Sequence, residues 1–147
     1  MEKEKFDIVV DEKNKHFNYR AAGILFRDEN VLLQITNKSD GYEGYKLIGG
    51  KVKFNESAES AIKREFFEEL GINVETVRLI KVLDHKVKTS NEVWQQVVLV
   101  FSVHEKSDVF TNEKGYDWVS LQNLSKIILK PNIFNEDSGK IYSQDID

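Results

Sequence analysis

The 147-residue chain has no cysteine, one proline and one methionine. Without cysteine there is no disulfide framework, no thiolate nucleophile and no Cys-ligated zinc site. That composition fits a reducing compartment, and the cytoplasm is the expected location. The single proline, Pro131, excludes a Pro-rich linker. Long hydrophobic runs are missing too: the longest span about five residues, Val97 to Phe101 among them, where a membrane helix needs about 20. Met1 to Asp7 carries a charge at nearly every other residue and does not read as a secretory signal. Nor is there a basic excess. Lys plus Arg number 21 against 25 Asp plus Glu, a net charge of −4, the wrong sign for a surface that neutralises nucleic-acid phosphates. Neither a membrane nor a nucleic acid is an expected partner.

What is present suits a globular protein. Hydrophobic residues make up 40% and charged residues 31%, too apolar a mix to stay disordered. The length fits one domain, 1–147, and such a chain buries roughly two-thirds of its unfolded surface without covalent staples. No internal repeat or low-complexity tract interrupts it. Phe6 to Val10 and Ala21 to Phe26 are short, apolar and rich in β-formers, and the polar turn Arg27 to Asn30 leads into a returning strand, Val31 to Ile35. Asn37 to Gly44 reads as a loop, and four of the eight glycines fall between Gly41 and Gly50. Val74 to Leu83, Val93 to Val103 and Tyr116 to Val119 read as further strands. Leu121 to Leu129 has helical spacing, which Pro131 ends or redirects. The polar tail after about residue 135 is expected to fray. Strands, a helix, more strands and a weaker helix define an α+β protein with helices packed on a mixed sheet.

The clearest local signal is a helix over Ser57 to Leu70. Ser57 is a good N-cap, and Glu59 sits in the first turn, where the helix dipole favours negative charge. Ile62, Phe66 and Leu70 recur at every fourth position and form a core stripe. Gly71 suits the left-handed position beyond the last turn. On a helical wheel with Glu65 at zero, Glu69 falls at about 40° and Glu68 at about −60°. Three carboxylates thus share one face, with Arg64 at its edge, where it can orient one of them. Like charges at these spacings cost a few tenths of a kcal/mol each even on an exposed helix, and partial burial pushes at least one carboxyl toward protonation. A divalent cation reverses the sign of this arrangement, because hard oxygen ligands on one face are what Mg²⁺ or Mn²⁺ takes. Ala58 and Ala61 lie under the same face and leave room for the Gly49-Gly50 backbone to approach. Taken alone, an acidic helix face is more simply a solvated surface.

A longer pattern argues against that simpler reading. Gly50, Glu56, Arg64-Glu65, Phe66, Glu68-Glu69, Gly71 and Ile72 follow the spacing G-x5-E-x7-R-E-U-x-E-E-x-G-U, with U bulky and apolar. The stretch resembles the Nudix box and matches it at all seven fixed positions. Upstream, Tyr45-Lys46-Leu47-Ile48-Gly49-Gly50 resembles the family's Trp-x-Leu-Pro-Gly-Gly run. Tyr45 replaces the tryptophan, and Ile48 replaces the proline, so φ before the glycines is not locked. Downstream, Tyr116 to Leu121 resembles the strand-then-helix segment near the end of such domains. The likeness covers Tyr19 to Leu129.

The resemblance implies an α/β/α sandwich around a mixed sheet, with the box as loop-helix-loop. It implies Mg²⁺, with Mn²⁺ as a substitute, on Glu65, Glu68, Glu69 and the carbonyl of Gly50, with Arg64 holding a carboxylate and Glu56 supporting the loop. Members hydrolyse a nucleoside diphosphate linked to another group, by attack of water on phosphorus. A further Glu from a late loop joins the metal site or acts as base, and Glu113 is the candidate here. Tyr45, Lys51 and Trp94 are the candidate substrate contacts: Lys51 for a phosphate, and Trp94, which begins a strand with Gln95 and Gln96, for stacking on a base. His16, His85 and His104 are scattered and expected at surface or strand-edge positions. The expected substrate is a nucleoside triphosphate, oxidised forms included, cleaved to monophosphate and pyrophosphate. Sugar nucleotides, ADP-ribose and dinucleoside polyphosphates are the alternatives. The proline that marks ADP-ribose enzymes downstream of the box, and the tyrosine that marks dinucleoside polyphosphate enzymes, are both absent from Val87 to Ser90, as is the run that marks NADH enzymes. A nucleotide sensor without catalysis is the reading from another class, opposed by the intact box carboxylates. An isoprenoid diphosphate isomerase is opposed by the lack of cysteine. A homodimer is left open.

Overall fold

The computed structural model describes residues 6–106, 114–130, 133 and 140–143. In chain order they form β1 (Val9–Glu12), β2 (Lys15–Arg27), β3 (Asn30–Ile35), a 3-10 turn at Lys38–Asp40, β4 (Tyr45–Lys46), β5 (Ile48–Lys51), α1 (Ala58–Leu70), β6 (Val74–Lys88), β7 (Val93–Glu105), β8 (Tyr116–Ser120), a 3-10 helix at Leu121–Lys126 and β9 (Lys140–Ser143).

β2 organises the sheet. Along one edge it takes three antiparallel partners in succession: β1, with Val9 opposite Asn18; β5, with Ala21 opposite Gly50; and β3, with Arg27 opposite Asn30. Along the other edge β7 runs parallel to it, from Lys15 opposite Val93 to Leu25 opposite Val103. A parallel pair cannot be joined by a hairpin, and here α1 and β6 lie within the connection between its two strands. β6 pairs antiparallel with β7, and β9 with β6. β3 also pairs with β4 and β8. The sheet is mixed, as the sequence suggests.

Successive residues in the middle of β2 are apolar because both faces of the sheet are covered. Ala21 and Leu25 join Leu32, Phe101 and Val103 in one cluster with Ile62, Phe66 and Leu70 of α1. Ala22 and Ile24 face the other way with Val31, Leu33, Val98 and Val100, packing with Leu124, Leu129 and Ile133. This is the sandwich: α1 on one face, and the 3-10 helix with the residues after it on the other. α1 begins and ends as its sequence predicts. The Ser57 side chain accepts from Ser60 N, and Gly71 at φ 69° returns its N–H to the Phe67 carbonyl. Ala58 and Ala61 are buried, and β5 lies against this part of the helix.

Several boundaries differ from the sequence reading. The first strand starts at Val9 rather than Phe6, and Asp7 makes only an isolated bridge to Lys53. β2 starts at Lys15 rather than Ala21, because the chain turns at Lys13 with φ 54° and no glycine marks the turn. The helical spacing after Leu121 yields a six-residue 3-10 helix capped by Ser120, after which Leu129 bridges Tyr45; Pro131 lies outside the described residues. Within the polar tail, Lys140–Ser143 pairs with β6 instead of fraying, supplying hydrogen-bond partners along the outer edge of that strand.

At the far end of β2 and β7, His16 is tied to three neighbours. Its Nδ1 lies 2.7 Å from Asp11 Oδ1, its Nε2 lies 3.1 Å from Glu92 Oε2, and its ring stacks on Trp94 at 3.9 Å between centroids. An imidazolium donates from both nitrogens, and the hydrogen bond to Asp11 foremost raises the pKa of His16 above 6.5. A raised folded-state pKa stabilises the fold fully below the unfolded value, and the contribution fades as pH rises through the folded value. Compared with His16→Gln, the wild type should therefore melt higher near pH 6, and the gap should narrow toward pH 8. A gap that does not change with pH would assign the contribution to ring stacking alone.

Candidate active site

The site is built where β5 meets α1. A Cβ on Gly49 would come within 2.1 Å of the Ala21 carbonyl oxygen, and one on Gly50 within 2.4 Å of Glu65 Oε2. Glycine at these two positions lets β5 pair closely with β2 and lets the Glu65 carboxylate rest on the backbone.

Glu56 anchors the loop between β5 and α1. Its side chain is 3% exposed. It accepts from Lys53 N at 2.9 Å and from Arg64 Nε and Nη2 at 2.8 and 3.0 Å. Arg64 Nη2 also donates to the Lys51 carbonyl at 3.1 Å, and Nη1 reaches Glu65 Oε2 at 3.0 Å and Glu68 Oε1 at 3.3 Å. This bidentate fork binds the loop to the helix and fixes the direction of two carboxylates. The Glu56 hydrogen bonds, ahead of any other influence, hold the Arg64 guanidinium even more firmly charged than usual.

Glu65 and Glu69 hydrogen-bond to each other, and Tyr116 Oη donates to Glu69 Oε1 at 3.0 Å. Burial first, then the neighbouring Glu65, pushes the Glu69 carboxyl up to about 7; the bond from Tyr116 works in the opposite direction. Glu68 is 58% exposed and leans on Arg64. Among the described residues, no three His, Asp or Glu side chains already converge tightly enough to enclose an ion. The chemistry of the donor set nevertheless fits a divalent cation. Glu65 and Glu69 face each other, Glu68 lies on the same helix face, and the Gly50 backbone comes close to Glu65. A hard cation among them satisfies carboxylate oxygens that otherwise repel each other.

Beside this corner is a cavity of about 210 Å³, walled by Gly49 and Gly50, Arg20 and Ala22 of β2, Gln96 and Val98 of β7, and Lys46 and Lys130. A wider cleft of about 970 Å³ shares Tyr42 with it and includes Asn37, Lys38, Tyr45 and Asp117. Lys46 pairs with Asp40 at 3.0 and 3.1 Å. The backbone N–H of Asn37 first, and Lys46 second, hold the Asp40 carboxyl below its usual range. Tyr42 Oη donates to the Tyr45 carbonyl at 2.7 Å, and Tyr45 Oη donates to Asp117 Oδ2 at 2.9 Å, which raises the Tyr45 phenol.

Of the residues singled out from the sequence, Gly50, Arg64, Glu65, Glu68 and Glu69 share one corner. Tyr45 lines the wider cleft. Lys51 gives its carbonyl to Arg64, and its side chain lines neither cavity. Trp94 also lines neither and is stacked on His16, whereas Gln96, on the same face of β7, lines the smaller one. Glu113 lies outside the described residues. Sequence reasoning missed Arg20, Lys46 and Lys130. Only Arg20 carried a signal, as the sole cation in the run Tyr19 to Phe26.

A NUDIX domain model matches residues 17–144. The fold is similar to that of the Escherichia coli ORF135 protein, at 24% identity over 79% of this chain and 82% of that one with a TM-score of 0.54. It is similar to a MutT NUDIX hydrolase from Burkholderia pseudomallei, at 27% identity over 72% and 84% with a TM-score of 0.53. It is also similar to an ADP-ribose pyrophosphatase from Streptococcus suis, at 19% identity over 71% and 75% with a TM-score of 0.52. The chain therefore belongs to the Nudix hydrolase family. Proteins of this family generally use divalent metal ions such as Mg²⁺ and act on small-molecule nucleotides. Among the described residues no helix is long and apolar enough to cross a membrane.

Proposed function

We propose that this hydrolase cleaves nucleoside triphosphates, oxidised forms included, to monophosphate and pyrophosphate with Mg²⁺. One observation carries the reading: Gly50, against which the Glu65 carboxylate packs, walls a cavity that also holds Arg20, Lys46 and Lys130. A site that attracts a cation beside a wall that attracts an anion is complementary to a metal-bound polyphosphate.

Glu65, Glu68, Glu69 and the Gly50 backbone would hold the metal, which supplies charge neutralisation for the anhydride oxygens and lowers the pKa of the attacking water. Arg64, locked by Glu56, keeps Glu65 and Glu68 in place. A carboxylate takes the proton from water as it attacks phosphorus, and the bond from phosphorus to the bridging oxygen breaks, releasing pyrophosphate. Glu113 is proposed as a further ligand or base. The Lys46 and Lys130 side of the cavity meets the phosphate charge.

The wider cleft favours a second reading, because its volume of about 970 Å³ has room for a group beyond the diphosphate. The ADP-ribose pyrophosphatase from Streptococcus suis shares this fold. Incubation with Mg²⁺ and nucleoside triphosphates, dinucleoside polyphosphates, ADP-ribose and sugar nucleotides, with products separated by chromatography, distinguishes the readings. Monophosphate and pyrophosphate should appear from triphosphates and disappear with chelator. Turnover of ADP-ribose alone would replace the substrate assignment, and binding without any turnover would favour the sensor.

A further inference from the structure

Arg20 lies in the wall of the smaller cavity, half-buried, and no described residue gives its guanidinium a hydrogen bond or an ion pair. Burial, more than any charge, weakens its hold on the proton, and Glu65, Asp7 and Glu69 act on it only through space. An unpaired cation removed from water is costly to keep. The other two cations of the wall are engaged, Lys46 by Asp40 and Lys130 over the Tyr42 ring at 4.8 Å. A second unsatisfied group lies two residues back on β2. Asn18 Oδ1 is buried with no hydrogen-bond partner among the described residues. Strand alternation puts Asn18 on the same face as Arg20 and Ala22, and its neighbour across the ladder is Gln96, which lines the cavity. A fork of donors and a lone acceptor, about 7 Å apart along one strand, both lack partners among the described residues. A ligand with anionic oxygens at one end and a hydrogen-bond donor behind them satisfies both.

We infer that Arg20 grips a phosphate of the substrate beside Glu65 and Glu69, and that Asn18 accepts a hydrogen bond from the nucleoside behind it. The substrate then lies along β2 with its phosphates toward Gly50. The nucleoside part of this inference rests on the proposed function; the phosphate part does not. Arginine suits the role because its planar fork meets two phosphate oxygens at once.

The competing role for Arg20 is a counter-charge to Glu65 and Glu69. Titrate inorganic pyrophosphate and adenosine and uridine 5′-monophosphates into the full chain in Mg²⁺ buffer, and measure Mg²⁺ affinity separately. Arg20→Gln should weaken all three anions about 10- to 100-fold, with Arg20→Lys intermediate. Asn18→Leu should weaken the monophosphates about 3- to 10-fold and leave pyrophosphate unchanged. If Arg20→Gln tightens Mg²⁺ binding and leaves pyrophosphate affinity as it was, Arg20 is a counter-charge and the inference is overturned. Failure of the wild type to bind pyrophosphate overturns it as well. Equal losses of pyrophosphate and monophosphate in Asn18→Leu overturn the nucleoside contact. If the wild type hydrolyses no nucleotide but Arg20→Gln still loses pyrophosphate affinity, the hydrolase reading fails and the phosphate grip stands. Unchanged kcat and KM in Arg20→Gln would do the reverse.

Discussion

Glu69→Gln is expected to lower Mg²⁺-dependent hydrolysis by about 10²- to 10⁴-fold while leaving the metal-free protein no less stable. The two effects separate because of where Glu69 sits. Burial and Glu65 already push its carboxyl up to about 7, so the metal-free fold tolerates an uncharged group there. An amide keeps the volume, still accepts from Tyr116, and removes a like charge beside Glu65, a change worth a few tenths of a kcal/mol in favour of the fold. What the amide lacks is the anionic oxygen that a divalent cation takes. Glu68→Gln should lose activity on the same scale, with no change in metal-free melting, since Glu68 is 58% exposed. Hydrolysis followed across a Mg²⁺ titration, and melting in excess chelator, give both numbers for each variant. A Glu69→Gln protein that melts several degrees lower yet keeps near wild-type turnover would make the glutamate structural and remove the centre of the proposed mechanism.

That experiment concerns the part of the molecule that was most legible beforehand. α1 carries its cap, its core stripe, its stop and its carboxylates on one continuous stretch, so local rules sufficed to place Glu65, Glu68 and Glu69 on one face. β5 was not legible, because Gly49-Gly50 has no β-forming side chains and earns its place by close approach to Ala21 and Glu65. The β1–β2 hairpin was hidden for a related reason. Its left-handed turn residue is Lys13, whereas the usual signal is Gly, Asn or Asp. β6 runs on to Lys88, past the apolar stretch that ended at Leu83, because pairing with β7 carries charged residues along with it. The cavity wall is the extreme case. Arg20, Lys46, Gln96 and Lys130 come from four distant points and meet only through long-range pairing, which no local pattern encodes. Arg20 alone broke a local rule, as a charge inside an apolar strand, and it is also the cation of that wall with no partner among the described residues.

Phe66→Ala is expected to cost about 3–5 kcal/mol, and Phe67→Ala no more than about 0.5 kcal/mol. The two rings are adjacent in sequence and about 100° apart around the helix. Phe66 is fully buried, in the cluster that holds Ala21, Leu25, Phe101 and Val103, while Phe67 is 57% exposed. Deleting the first ring leaves a cavity between α1 and the sheet; deleting the second removes surface already in water. The contrast tests more than packing, because one rotation of α1 sets both the buried stripe and the direction of the carboxylates. With Phe66 inward, Glu65 and Glu69 point to the Gly50 corner and Glu68 lies outside them. Turning the helix by one residue to bury Phe67 would carry Glu65 away from Gly50 and break the Arg64 fork to Glu56. Urea unfolding of the two variants, with similar slopes to confirm that the same surface is exposed, measures the difference. Equal costs for the two substitutions would mean that α1 does not hold this rotation, and the Glu65–Glu69 pair would then have no structural basis.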